Sequence, residues 1–247
     1  MRILVLGGTG EARALAAALV ADGIDVISSL AGRVQQPRRP EGSVRIGGFG
    51  GADGLAAFLR ADDITAVVDA THPFAATITT NAAIASEQVG VPRLVLRRLG
   101  WDVDSSWLVV ADVPAAAQAV RTWDGESVFL TTGRRDLAAF ADDHRHRFLV
   151  RTVDPPEGPV PPQTTLLLDR GPYTLDGERA LLREHGVGLL VTKNSGGSMT
   201  AAKLQAAGEL KVLVIMVQRP PLPEGSEVVS TVNDALTWIT QPGSGGG

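Results

Sequence analysis

The chain has 247 residues, 44% of them hydrophobic and 20% charged, which is typical of a soluble globular protein with one large or two small domains. No apolar run approaches the ~20 residues of a membrane span, and no signal-peptide pattern precedes the first strand, so we expect a cytoplasmic protein without a membrane partner. The net charge of −4 argues against a nucleic-acid partner, and the lack of cysteine excludes disulfides and thiolate metal sites.

Short apolar runs alternate with alanine-rich helical stretches, a pattern typical of βα units and parallel sheets. Strands are predicted at residues 2–6, 24–29, 64–69, 93–96 and 107–110, and then at 127–131, 147–152, 165–169, 187–192 and 212–217. Helices are predicted at residues 10–21, 51–60, 75–88 and 112–121, and then at 136–142, 175–185, 199–208 and 232–240. The expected fold class is therefore α/β with parallel sheets.

The first predicted strand runs directly into a glycine turn, Gly7-Gly-Thr-Gly10, and a helix follows at once. Glycines let a ligand approach the backbone, and the free N–H groups and dipole of a helix N-terminus favour an anion. The spacing is a degenerate form of the dinucleotide-binding fingerprint, and the same turn also serves as a plain β–α connection. We predict that it binds a nucleotide phosphate, and the predicted contacts are Gly8, Thr9, Gly10, Glu11 and Arg13.

The end of the second strand selects the cofactor in dinucleotide-binding folds, because an acidic residue there binds NAD and a basic one binds NADP. Residues 27–33 carry no carboxylate. Ser28, Ser29 and Arg33 supply hydroxyls and a guanidinium that suit the additional phosphate of NADP, and a solvated arginine beside strand-end serines is the alternative. The predicted cofactor contacts here are Ser29, Gly32 and Arg33. We therefore expect NADP rather than NAD.

A polar segment, Asp69-Ala-Thr-His-Pro-Phe74, follows a strand of continuous apolar character. Ligands bind at the C-terminal strand ends of open parallel sheets. His72, Pro73 and Phe74 are therefore predicted to contact the cofactor, with the substrate as the alternative. Proton transfer by His72 is less favoured, because a histidine in such a loop more often serves as a hydrogen-bonding element.

Two turns of the second half occupy similar positions after predicted strands. The turn at 132–134 suits an anionic group, and a plain helix cap is its alternative. The turn at 193–197 combines lysine, asparagine and serine with paired glycines, a combination that a structural turn rarely needs. The predicted substrate-binding residues are Thr132, Gly133, Arg134, Lys193, Asn194, Ser195, Gly196, Gly197 and Lys203.

These turns belong to a wider likeness between the two halves. The helix and strand that follow Thr71 parallel those that follow Thr192, and the glycine turn of the first half has its counterpart at Gly133. The likeness predicts a duplication, with two Rossmann-like domains facing each other across a ligand cleft. The predicted divisions are residues 1–123 for the NADP-binding domain, 124–241 for a second domain that completes the substrate cleft, and 242–247 for a flexible tail.

Other catalytic and metal-binding patterns are missing. The only tyrosine, Tyr173, has Gly177 four residues later, so the Tyr-x-x-x-Lys pair of short-chain dehydrogenases is absent. His144 and His146 lie in a charged run, which predicts solvated surface rather than metal ligands. We predict no metal site, and no side chain is an evident general acid.

Four of these segments, in this order, resemble the precorrin-6A reductase family, called cobalt-precorrin-6A reductase in the anaerobic route of cobalamin biosynthesis. They are Leu6-Gly-Gly-Thr-Gly-Glu-Ala-Arg13, Asp69-Ala-Thr-His-Pro-Phe74, Thr132-Gly-Arg134 and Val191-Thr-Lys-Asn-Ser-Gly-Gly197. The resemblance implies that NADPH reduces one double bond of the precorrin-6A macrocycle, giving precorrin-6B. It also implies a cleft between two Rossmann-like domains.

The charged residues suit a tetrapyrrole with acetate and propionate groups, because arginine and lysine pair with carboxylates. The candidates for this pairing are Arg13, Arg134, Lys193 and Lys203. Hydride transfer itself requires mainly positioning, and solvent can supply the accompanying proton. Two alternatives remain open: another NADP-dependent reductase or epimerase of a small carbonyl compound, and a non-catalytic NADP-sensing regulator. A monomer or small homo-oligomer is expected.

Overall fold

The computed structural model describes residues 1–32 and 39–241. The predicted cofactor residue Arg33 and the predicted tail at 242–247 lie outside the described residues. None of the described helices is both long and apolar enough to cross a membrane.

The chain divides into two compact units, the first made of Met1–Leu99 and Pro221–Gly247 and the second of Gly100–Pro220. The first unit begins with β1 (Arg2–Leu6), α1 (Gly10–Ala21), β2 (Asp25–Leu30), β3 (Ser43–Ile46), α2 (Ala52–Ala61), β4 (Ala66–Asp69), α3 (Ala76–Val89) and β5 (Arg93–Leu96). The second unit contains β6 (Leu108–Val110), α4 (Val113–Thr122), β7 (Ser127–Leu130), β8 (Arg147–Thr152), β9 (Thr164–Leu168), α5 (Leu175–Glu184), β10 (Leu189–Lys193), α6 (Ala202–Glu209) and β11 (Leu213–Val217). The chain then returns to the first unit with β12 (Glu227–Val229) and α7 (Val232–Thr240).

Each unit has one six-stranded sheet, and all strand pairs of the described residues are parallel. The first sheet has the order β3-β2-β1-β4-β5-β12 and the second has the order β9-β8-β7-β10-β11-β6. Both are the doubly wound order, in which the direction of winding reverses in the middle of the sheet. The reversal lies between β1 and β4 in the first sheet and between β7 and β10 in the second. The predicted α/β class with two Rossmann-like parallel sheets is therefore confirmed.

In each sheet, five strands follow one another in the chain and the sixth comes from elsewhere in the sequence. In the second unit, β6 and α4 precede β7, and β6 pairs with β11 through Leu108 opposite Ile215. In the first unit, β12 and α7 end the described chain, and β12 pairs with β5 through Val228 opposite Val95. The structure therefore divides the chain after Leu99 and after Pro220, whereas the sequence placed a single division between residues 123 and 124.

The central strands are apolar along their whole length because helices cover both faces of each sheet. In β1, Ile3 and Val5 point to the face covered by α1 and α7, where they pack near Leu15. Leu4 and Leu6 point to the opposite face, which α2 and α3 cover. This alternation fixes the register of β1, so the glycine turn begins at the C-terminal edge of the sheet.

The structure differs from the predicted elements at three places. Strands β3 and β12 were not predicted, because they are edge strands of four and three residues that carry polar side chains and are only partly buried. The helix predicted at 136–142 is only a 3₁₀ turn at Leu137–Phe140.

His146 is completely buried, so the prediction of a solvated surface is wrong for this residue, while His144 is exposed. Nδ1 of His146 lies 2.8 Å from the Oδ2 atom of Asp143, and Nε2 lies 3.1 Å from the carbonyl oxygen of Trp123. The buried carboxylate supplies the partner that makes burial of the ring favourable. The described residues contain no cluster of three or more side chains suited to a metal ion.

Candidate functional site

In the first unit, the loops that follow β1 and β4 meet at the C-terminal edge of the sheet, where the strand order reverses. The Thr9 hydroxyl donates a 2.7 Å hydrogen bond to the carbonyl oxygen of Ala70, and the Ala70 N–H donates to that of Leu6. Such reversal points are where open α/β sheets bind ligands. The structure therefore brings the predicted turn at 7–10 and the predicted segment at 69–74 together.

The glycine turn leads into a complete helix of 12 residues. The Thr9 hydroxyl caps that helix by accepting the N–H of Ala12 at 3.1 Å. Gly8 has a backbone φ of +114°, and a Cβ built on it would meet no atom within 4 Å. The turn thus has open space beside it and the positive end of a helix dipole behind it, which suits a phosphate.

Two charged residues of the first helical turns lie beside the glycines. Glu11 forms a 3.0 Å ion pair with Arg98, a residue that the sequence analysis did not single out. This pairing offsets a carboxylate that would otherwise repel a phosphate. Arg13 places Nη2 3.8 Å from the position that a Cβ on Gly10 would occupy, so its guanidinium lies at the turn.

The end of β2 lies next to the same turn. The N–H of Gly7 donates a 2.9 Å hydrogen bond to the carbonyl oxygen of Ser29, whose side chain is buried. Gly32 is exposed and has a φ of +69°. Residues 28–32 place no carboxylate at this position, as the sequence analysis noted.

The segment after β4 is organised by a buried carboxylate. Oδ1 of Asp69 accepts the N–H and the hydroxyl of Thr71, at 3.1 and 2.6 Å. His72 is exposed, and its Nδ1 accepts the N–H of Phe74 at 3.3 Å. Pro73 is buried.

The second unit has an equivalent edge, at the loops that follow β7 and β10. Thr132 is buried, and its hydroxyl has no hydrogen-bond partner within the described residues. Gly133 has a φ of +98° and open space beside it. Arg134 forms a 2.9 Å ion pair with Glu157, and Lys193 forms a 2.5 Å ion pair with Asp136. Arg134 and Lys193 are therefore each paired with a carboxylate.

The side chain of Asn194, which is predicted to bind the substrate, is hydrogen-bonded to the backbone of Trp101. Its Oδ1 accepts the backbone N–H of Trp101 at 2.8 Å, and its Nδ2 donates to the carbonyl oxygen of Trp101 at 3.2 Å. The Trp101 indole N–H also donates to the carbonyl oxygen of Gly197 at 2.9 Å. Trp101 thus fixes both ends of the turn at 194–197, which also contains Ser195 and Gly196.

Lys203 is only 4% exposed, which argues against the predicted contact with a substrate carboxylate. Its Nζ donates to the carbonyl oxygen of Thr200 at 2.9 Å and lies 4.6 Å from the ring centre of Trp101. Burial lowers the pKa of Lys203 to about 7; Arg151 lowers it further, and Glu178 opposes the change. Lys203 therefore packs against Trp101, the residue that holds the turn at 194–197.

Comparison with known proteins agrees with this architecture. The family model described as precorrin-6x reductase CbiJ/CobK matches residues 2–240. The chain belongs to the precorrin-6x reductase family. It is 54% identical to precorrin-6A reductase of Rhodococcus erythropolis over 241 residues, which cover 96% of this chain and 97% of that one.

Other members of the family are similar over the same extent. Precorrin-6A reductase of Mycobacterium tuberculosis is 50% identical over 239 residues, covering 96% of this chain and 97% of that protein. The solved structure of CobK precorrin-6A reductase superposes with a TM-score of 0.89 at 39% identity, covering 97% of this chain and 96% of that one. The resemblance inferred from the four sequence segments is confirmed, and this member of the family is an oxidoreductase that uses a nicotinamide cofactor.

Proposed function

We propose that the chain reduces precorrin-6A to precorrin-6B in cobalamin biosynthesis, with NADPH as the hydride donor bound by the first unit. The family supports the reaction. In it, NADPH gives a hydride to one carbon of a macrocycle double bond and a proton is added to its neighbour. The observation that carries the assignment of the cofactor is the difference between the two glycine turns.

The turn of the first unit is followed by a 12-residue helix, whereas that of the second unit is followed by a 3₁₀ turn of four residues. A full helix supplies aligned N–H groups and a dipole for a pyrophosphate, and a single short turn does not. Gly8, Thr9, Gly10, Glu11 and Arg13 are therefore assigned to the cofactor.

The preference for NADPH rests on the end of β2. A carboxylate at this position would bind the ribose hydroxyls of NADH and repel the ribose phosphate of NADPH. Ser29 and Gly32 stand here instead, and Arg33 is assigned to the phosphate from the sequence alone. His72, Pro73 and Phe74, at the end of β4, are assigned to the part of the cofactor that carries the nicotinamide, because dinucleotides extend across the reversal point of the sheet.

The second unit is assigned to the carboxylates of the macrocycle. Its anion-binding groups are the hydroxyl of Thr132, the open backbone of Gly133 and the cations of Arg134 and Lys193. The present partner of Arg134 is Glu157, whose side chain is 82% exposed. An exposed ion pair contributes only about 0–1 kcal/mol, so a substrate carboxylate can replace Glu157 at little cost.

The reaction is tested with purified protein, precorrin-6A and NADPH that carries deuterium at the transferable position. We expect NADPH consumption, a change in the visible spectrum of the tetrapyrrole, and one deuterium in the product by mass spectrometry. Binding of NADPH without either change would favour the regulator. Turnover of a small carbonyl compound in place of precorrin-6A would favour the alternative reductase or epimerase.

The assignment of the second unit has its own test. Lys193→Ala leaves the carboxylate of Asp136 without its cation, so we expect the KM for precorrin-6A to rise about tenfold while the Kd for NADPH stays unchanged. The double variant Lys193→Ala with Asp136→Ala removes the repulsion and should recover part of the loss. An unchanged KM, or an equal loss of NADPH binding, would contradict the assignment.

A further inference from the structure

Arg45 on β3 is a cation that the predicted site does not include. It lies near the C-terminal edge of the first sheet, where the cofactor is proposed to bind. Strand β3 runs parallel to β2 with Arg45 opposite Ser29. The ends of the two strands are joined by a 2.9 Å hydrogen bond from the N–H of Gly47 to the carbonyl oxygen of Leu30. Arg45 is therefore a neighbour of the strand end that distinguishes NADPH from NADH.

Hydrogen bonds direct the Arg45 guanidinium toward the C-terminal edge of the sheet. Nη1 donates to the carbonyl oxygen of Gly47 and Nη2 to that of Gly48, each at 2.7 Å. Both acceptors follow the end of β3. The guanidinium carbon lies 3.9 Å from the ring centre of Phe49 and 5.4 Å from that of Phe58, so two aromatic rings hold the plane of the group.

Among the described residues, no carboxylate lies within 4 Å of the Arg45 guanidinium. Arg2 and Arg98 of the same unit are paired with carboxylates. The two bonds to carbonyl oxygens use two of the five N–H groups of a guanidinium, which leaves donors for another acceptor. The backbone that carries these two carbonyl groups is itself uncrowded, because a Cβ on Gly47 or Gly48 would meet nothing within 4 Å.

We propose that Arg45 binds the phosphate on the adenosine ribose of NADPH and thereby selects NADPH over NADH. The inference rests on the proposed binding of NADPH by the first unit. A preorganised, partly exposed guanidinium whose charge no carboxylate neutralises matches a dianionic phosphate in both charge and geometry. The adenosine ribose of a dinucleotide lies at the end of the second strand, and β3 places Arg45 directly beside it.

The test compares Arg45→Gln with the matched control Arg60→Gln. Arg60 lies on α2 of the same unit, and its Nη2 likewise donates to a backbone carbonyl oxygen, that of Gln88, at 3.2 Å. The Kd values for NADPH and NADH are measured for the wild type and both variants by calorimetric titration. We expect Arg45→Gln to raise the Kd for NADPH about 30-fold and the Kd for NADH less than twofold. Arg60→Gln should change neither Kd.

A second measurement separates loss of the phosphate contact from loss of folding. Adenosine 2′,5′-bisphosphate and adenosine 5′-monophosphate are titrated into the same proteins, and the thermal midpoint is recorded without ligand. The inference requires that Arg45→Gln weakens the binding of adenosine 2′,5′-bisphosphate and leaves the binding of adenosine 5′-monophosphate unchanged. Equal weakening of both nucleotides, or of neither, would overturn it. A wild type that fails to prefer NADPH over NADH would instead contradict the proposed function.

Discussion

At the scale of single residues, Gly8 is the position at which the backbone of the cofactor turn depends most on the residue type. Its φ of +114° lies in a region that L side chains rarely adopt, while nothing packs against its α-carbon. Gly8→Ala therefore strains or shifts the turn without removing a packing contact.

We expect Gly8→Ala to weaken NADPH binding about tenfold, measured as a Kd. The matched control is Gly23→Ala, because Gly23 also has a positive φ, of +74°, and open space beside it. Gly23 follows the C-terminus of α1, at the opposite end from the glycine turn. Both variants lose stability through backbone strain, so an equal loss of NADPH affinity in the two would contradict a role of Gly8 at the phosphate.

Lys203 makes the stability of the second unit depend on pH. Its pKa falls from an ordinary value of 10.5 to about 7, chiefly because of burial. Between these values the unfolded chain holds a proton that the folded chain has lost, so the free energy of unfolding increases with pH. One pKa unit is worth about 1.4 kcal/mol, which gives a rise of about 2 kcal/mol between about pH 7 and about pH 9.

This prediction is checked by urea unfolding at several pH values in the wild type and in Lys203→Met. Methionine keeps much of the apolar chain and does not titrate. The wild type should gain about 2 kcal/mol relative to Lys203→Met as the pH rises across this range. Parallel curves would show that Lys203 keeps its proton in the folded protein.

Residue-scale predictions from the sequence succeeded where the signal was local. The glycine turn between β1 and α1 was predicted because the strand, the turn and the helix are contiguous in the chain. The role of Asn194 could not be predicted, because its partner Trp101 lies 93 positions away and is bound through backbone atoms. Arg98 could have been noticed, since it follows the end of β5, at the edge where ligands bind.

At the scale of elements, a buried ion pair joins β8 to α5. Arg151 donates to both carboxylate oxygens of Glu178, at 2.6 and 3.2 Å, and both side chains are buried. The Arg151 guanidinium also lies 3.6 Å from the ring centre of Tyr173. The pair holds the start of α5 against the sheet, so the placement of that helix depends on two opposite charges.

Glu178→Ala leaves the Arg151 guanidinium buried without a counter-charge, so we expect a loss of about 3–5 kcal/mol in the free energy of unfolding. Urea unfolding measures it. The double variant Arg151→Met with Glu178→Leu removes both charges and should be much less destabilised. A single variant that loses less than the double variant would show that the pair adds nothing beyond its packing.

The elements that could be predicted from the sequence are those with a buried, regular pattern. Strand β1 was predicted with its observed bounds because helices cover both of its faces and every residue of it except Arg2 is buried. Strand β12 has three residues with only Val229 partly buried, and such a short edge strand forms because β5 offers it hydrogen-bond partners. Its existence is therefore a consequence of tertiary structure, which local pattern does not encode.

At the scale of the whole molecule, strands β6 and β12 set the limits of the folding units. We call them exchanged strands, because each joins its sheet from outside the continuous run of the other five strands. Residues 100–220 contain every strand of the second sheet, together with α4, whose buried Ala116, Ala117 and Val120 contribute to its core. Residues 124–241 lack β6 and α4. They carry β12 and α7 instead, whose partners β5 and α1 belong to the first unit.

We therefore expect a fragment of residues 100–220 to fold by itself and a fragment of residues 124–241 not to. The second fragment would expose the edge of β11 and the apolar face that α4 covers, and it would gain nothing from β12, because a lone strand has no sheet to join. Far-UV circular dichroism and urea unfolding should show one cooperative transition for 100–220 and a gradual, non-cooperative change for 124–241. If the two fragments unfolded cooperatively at the same urea concentration, the exchanged strands would not define the folding units, and the division between residues 123 and 124 would be the correct one.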